Sequence, residues 1–212
     1  MTACVYCLGT GELRHEQVLV RGDDFYVCAP LGQVVEGYVA IAPYRCIGCL
    51  ASLPGDWIDE LARLKQLVAE FYADAYGVSR PTFYEQGRAG GGVGNEALTG
   101  FPLHAHLCGV PIALDMHAML VGHFMRHQVA GLHELSAAAN DPYIYVESGG
   151  EEWVYLPRTH DERAELATLR IKPELAAFIG RPERGHWRAY PGDHEVKRVI
   201  DRFSAFHTGT MA

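Results

Sequence analysis

The chain has 212 residues, 49% of them hydrophobic, which is enough for one good core plus an extension. A net charge of -8 and a pI near 5.7 exclude a general nucleic-acid binder, because a phosphate backbone would be repelled overall. No run approaches the roughly 18 apolar residues of a membrane helix, and the start, MTACVYCLGTGELRHEQ, lacks a basic segment followed by an apolar one. A soluble, cytoplasmic protein is expected.

In chain order, EQVLVRGDDFYVCAPL predicts two short strands around a Gly-Asp-Asp turn, with Cys28 as a small buried residue. GYVAIAPY, 37–44, predicts a third, central strand. From Pro54 to Gly77 the spacing of Ile58, Leu61, Leu64, Leu67, Val68 and Phe71 predicts a long helix with one apolar stripe. PTFYEQG is a fourth strand running into the glycine loop 87–94, and PLHAHLCGVPI is a fifth. Residues 114–139 read as loop plus helix. DPYIYVESGGEEWVYLP predicts a hairpin turning at 148–150. THDERAELATLRIKPELAAFIG predicts helix with Thr159 as cap and Pro173 as an interruption, and DHEVKRVIDRFSAF a last helix. The order is that of an α+β fold: an antiparallel sheet with one long helix, then a hairpin-and-helix extension. The expected division is a core, 1–140, with an extension, 141–212, packed on it.

Six cysteines in a reducing compartment point to metal ligands or free thiols. Cys4 and Cys7 form one C-x-x-C pair, Cys46 and Cys49 another. The glycines after Cys7 suit a metal knuckle better than a thiol redox pair. The partners of Cys4 and Cys7 stay open between Cys46 with Cys49, the remaining cysteines and the histidines. On a strand, period two puts His104, His106 and Cys108 on one face.

These pieces together resemble the histidine triad superfamily of nucleotide hydrolases and transferases. The residues that carry the resemblance are CVYC, GDDFYVCAP, EGYVAIAPYRC, DWIDELARLKQLVAEFY and HAHLCGVP, covering about residues 3–111 in order. The resemblance implies a structural zinc on Cys4, Cys7, Cys46 and His104. It implies His106 as a nucleophile that forms a nucleotidyl-histidine, and a homodimer. It also makes Cys108 the second catalytic position, where the family usually has a third histidine, so the proton for the leaving group must come from elsewhere or the leaving group must need none. The implied activity is release of a nucleoside monophosphate by cleavage of a P–O–P or P–N bond at the α-phosphorus. Transfer to phosphate or a sugar phosphate, or nucleotide binding without turnover, are the alternatives. Candidate substrate contacts are Glu85, Gln86, Gly87 and Arg88 beside the glycine loop, and Lys172 and Arg188 in the extension. His117, His123 and His127 could stand in for the missing imidazole, but none has a spacing that singles it out.

Overall fold

The computed structural model describes residues 6–8, 13–88, 104–120 and 124–210. It shows mixed α and β structure built on one eight-stranded antiparallel sheet. The strands are β1 (Val18–Arg21), β2 (Phe25–Cys28), β3 (Val39–Pro43), β4 (Thr82–Arg88), β5 (Leu107–Val110), β6 (Met125–Val129), β7 (Pro142–Ser148) and β8 (Glu151–Leu156). Their spatial order is β1-β2-β3-β5-β4-β7-β8-β6. The hairpin β7–β8 continues the sheet directly, through six register pairs between β4 and β7. A boundary at residue 140 therefore falls between β6 and β7, two strands of one sheet.

Helix α1 (Gly55–Tyr76) follows the predicted stripe, with Ile58, Leu61, Leu64, Val68 and Phe71 buried and Leu67 at the margin. It ends at Gly77, whose φ of 68° is the left-handed cap that glycine adopts without strain. Glu60, on its first turns, does more than complement the helix dipole. Its carboxylate accepts the Asp23 and Asp24 N–H groups at 2.8 and 3.0 Å and so closes the β1–β2 turn. A side chain at Gly22 would collide with it.

The remaining helices are α2 (Met116–Leu120), α3 (His160–Thr168), α4 (Ile171–Phe178) and α5 (Asp193–Thr210). Thr159 caps α3 by accepting the Glu162 N–H. The helical run breaks at Leu169–Arg170, before Pro173. The proline sits in the first turn of α4, where its missing N–H costs no helical bond. Strand β6 departs from the loop-plus-helix reading of 114–139. Four of its five residues are exposed, so it carries no inward-facing alternation for a sequence reading to find.

The register sorts the side chains. Cys28, Ala40, Cys108, Tyr84, Val146 and Trp153 are successive partners across the sheet and share one face. Residues α2, α3 and α4 cover the Tyr84–Trp153 end of that face, while Tyr6 and Leu8 lie over Cys28 and Ala40. The opposite face, with Val27, Ile41, Leu107 and Phe83, packs against α1 and α5. Among the described residues, no helix is long and apolar enough to cross a membrane.

Candidate functional site

The segment His104–His106 lies outside the ladder, and pairing begins at Leu107. Its backbone groups bond elsewhere. The Ala105 N–H donates to Ile47 O at 2.6 Å, which binds the segment to the loop after Cys46. The expected alternation survives, because both histidine rings and Cys108 lie on the side of Tyr6.

His104 is buried, and its Nε2 lies 2.7 Å from Pro43 O. A carbonyl only accepts, so this contact holds the proton on Nε2 and turns the Nδ1 lone pair the other way. Nδ1 faces the Cys7 Sγ at 3.8 Å, and the ligand atoms of Cys7, Cys46 and His104 all lie within 4.8 Å of one another. This cluster can hold a metal ion. Two thiols and an imidazole are a zinc-type donor set, and ordinary zinc bond lengths and angles separate S and N by about 3.6 Å. The Pro43 carbonyl is the outer partner that orients a ligating imidazole. Cys49 stands apart: its buried thiol bonds Ser52 Oγ at 3.2 Å, so of the second C-x-x-C pair only Cys46 joins the cluster. Cys4 lies outside the described residues.

His106 is held in the opposite tautomer. Its Nδ1 lies 2.8 Å from the His104 carbonyl, which fixes the proton there and places the lone pair on Nε2. Its ring stacks on Tyr6 with centroids 4.3 Å apart. Cys108 is buried two places on, with its Sγ 3.0 Å from the Tyr38 hydroxyl. Burial pushes this thiol up to about 11, so it is neutral at physiological pH. The Tyr38 and Tyr84 hydroxyls both face this thiol and ease its ionisation against the effect of burial.

Residues 1–88 match a family model described as "Protein similar to CwfJ C-terminal". That segment contains Cys4, Cys7 and Cys46 and stops short of His104–Cys108. No curated protein matches the chain. The match corrects the resemblance drawn from the sequence. The segment that holds most of those motifs matches the CwfJ C-terminal model, not a histidine-triad one.

The predicted substrate contacts fall into two groups. Those on β4 are tied into the fold. Glu85 is buried; its carboxylate accepts the Leu50 N–H at 2.7 Å and the Tyr143 hydroxyl, which itself accepts the Ala51 N–H at 2.9 Å. Burial pushes Glu85 up to about 7, against the pull of those donors. Gln86 donates to Leu166 O and Leu169 O and accepts from the Ile171 N–H, so it braces the break between α3 and α4. Gly87 is needed for close approach: a Cβ there would lie 2.2 Å from the Tyr143 ring. The side chain of Arg88 and the glycine loop from 89 lie outside the described residues.

Of the two extension residues, Lys172 reaches the thiol side of the sheet. Its Nζ stands 4.7 Å over the Tyr38 ring and donates to Leu31 O at 3.3 Å. Burial pulls it down to about 8, and the neighbouring Cys108 opposes that shift. Arg188 is exposed and lies over the Trp187 ring instead. His117 bonds the Tyr155 hydroxyl and packs edge-on to Trp153, His127 is exposed on β6, and His123 lies outside the described residues. The sequence reading missed Tyr6, Tyr38 and Tyr84. Only Tyr6 had a local signal, its place inside the first C-x-x-C.

Proposed function

We propose that the chain is a nucleotide hydrolase acting at the α-phosphorus, with His106 as nucleophile. The observation that carries this reading is the Nδ1 contact of His106 with the His104 carbonyl, because a nucleophilic imidazole needs its second nitrogen held by an acceptor. The surroundings support it. Cys28, Ala40 and Cys108 are packed with Tyr26, Tyr38 and Tyr84 in the buried layer on the same side of the sheet, and a nucleoside would sit at the margin of that layer beside His106, which is only half-buried. Lys172 supplies a cation on that side.

In the first step Nε2 attacks phosphorus, and the P–O or P–N bond to the leaving group breaks with its electron pair. Lys172 gives the departing atom a proton, the task that the neutral, buried thiol of Cys108 is poorly placed to perform. Water then attacks the nucleotidyl-histidine and releases a nucleoside monophosphate, returning its proton to Lys172. Zinc, held by Cys4, Cys7, Cys46 and His104, would fix the N-terminal segment against His104; four protein ligands leave it no open position for chemistry.

The test is incubation with nucleoside phosphoramidates and dinucleoside polyphosphates, following monophosphate release by mass. His106→Ala should lower turnover by at least about a thousandfold and leave monophosphate binding intact. Binding without turnover in the natural chain would overturn the hydrolase and leave a nucleotide-binding module. Product that appears only when phosphate or a sugar phosphate is added would make it a transferase.

A further inference from the structure

Two contacts fix the His106 ring. The hydrogen bond from Nδ1 to the His104 carbonyl sets its direction in plane, and the Tyr6 ring lies against its face at 4.3 Å with 27° between planes. Both contacts trace back to the metal-type cluster. His104 is one of its members, and Tyr6 is bonded through the main chain to Cys7, another. Tyr6 is held at its other side as well, since its carbonyl accepts the Tyr26 hydroxyl and its ring lies 6.0 Å from that of His104.

We infer that Tyr6 is a positioning residue: through its stack on His106 it makes the orientation of that imidazole depend on a metal ion bound at Cys7, Cys46 and His104. The effect on rate rests on the reading of His106 as nucleophile; the effect on orientation does not. Stacking of this kind is modest, so its loss should free the ring rather than unfold the chain. The interaction lies in the ring face. The hydroxyl is expendable, and Phe should replace Tyr where Leu does not.

The experiment uses the full chain loaded with zinc alone, or stripped by a chelator, and reads His106 in two ways that need no turnover. One is the imidazole nitrogen NMR signature, which reports the tautomer. The other is the rate of carbethoxylation of His106 by diethyl pyrocarbonate, mapped by peptide mass at one fixed pH. The zinc-loaded chain should show a single Nδ1–H tautomer and slow modification. Chelation should speed modification by roughly three- to tenfold, in keeping with one aromatic contact. Tyr6→Leu should give the same increase with its zinc content unchanged, and chelation should then add little. Tyr6→Phe should restore the natural behaviour.

The inference is overturned if Tyr6→Leu leaves both readouts at the natural value. It is equally overturned if Tyr6→Phe fails like Leu, if chelation shifts His106 as much in Tyr6→Leu as in the natural chain, or if the chain takes up no zinc. If Tyr6→Leu moves the imidazole signature in a chain that turns over no nucleotide, the positioning role stands and the hydrolase reading falls.

Discussion

On one face of the sheet, α1 and α5 press Leu61, Phe71 and Phe203 onto Val27, Ile41 and Leu107. On the other, helices meet a row that contains Cys108, Tyr84 and Trp153, with His106 and Lys172 near by. On the first face Glu85 is tied by two donors and Lys65 by Glu147 and Glu152. On the second, Trp153 Nε1 and His117 Nε2 are buried without a hydrogen-bond partner, as is Tyr76 Oη on the first. Unsatisfied groups cost stability, and neither face is free of them. The difference is one of chemistry: the first face buries a glutamate and a Lys–Glu network, the second a thiol and a lysine.

Four substitutions or conditions can break or sharpen this contrast. The largest effect is expected from Phe71→Ala. Phe71 is fully buried among Phe203, Phe206 and Tyr76, and its truncation should cost about 3–5 kcal/mol in urea unfolding. Turnover per folded molecule should be unchanged; a matching loss of turnover would mean the faces are not separable.

Next comes pH. The folded value of Glu85, about 7, lies above its ordinary 4.5. The folded state thus binds the proton more tightly. The stability that this contributes is complete below about 4.5 and lost as pH rises through about 7. The difference is of order 3 kcal/mol. Unfolding midpoints that stay flat from pH 5 to 8, after subtraction of a Glu85→Gln reference, would contradict it.

The third is Lys172→Met, expected to slow hydrolysis of a substrate with an alkoxide-like leaving group by about a hundredfold. The first-turnover burst of p-nitrophenolate from a nucleoside 5′-p-nitrophenyl phosphate, whose leaving group needs no proton, should keep the natural rate. In the natural chain the poor substrate alone should lose rate as pH rises through about 8. Equal loss on both substrates would assign Lys172 to binding rather than proton transfer. The smallest effect is that of Tyr143→Phe, which strands the Ala51 N–H and one Glu85 oxygen. It should cost about 1–3 kcal/mol of stability, measured by thermal unfolding, with zinc uptake retained.

Much of the sheet was legible because β2, β3, β7 and β8 carry period-two or continuous apolar patterns and α1 carries a complete stripe with a glycine stop. Exposed β6 offered no such pattern. Within the site, Cys7, Cys46 and His104 could be singled out as ligand types, but their meeting depends on the Ile47–Ala105 backbone bond between distant segments, which no local spacing encodes. Glu85, Gln86 and Gly87 misled for a physical reason. A strand end beside glycines looks like a phosphate cradle, yet each residue there meets a fold-internal partner that lies at least 35 positions away. The family resemblance gave way to the CwfJ C-terminal match over residues 1–88, which covers most of the motifs that carried it.

The β4–β7 ladder also limits how the molecule can be taken apart. A chain stopped at residue 140 would expose the outer edge of β4 along six register positions and uncover the ring of space over Gly87 that Tyr143 fills. Such an edge is a template for strand addition by another chain, so the shortened protein should clump into sheet-rich aggregates, and activity assays on it would report on the aggregate rather than on the histidine.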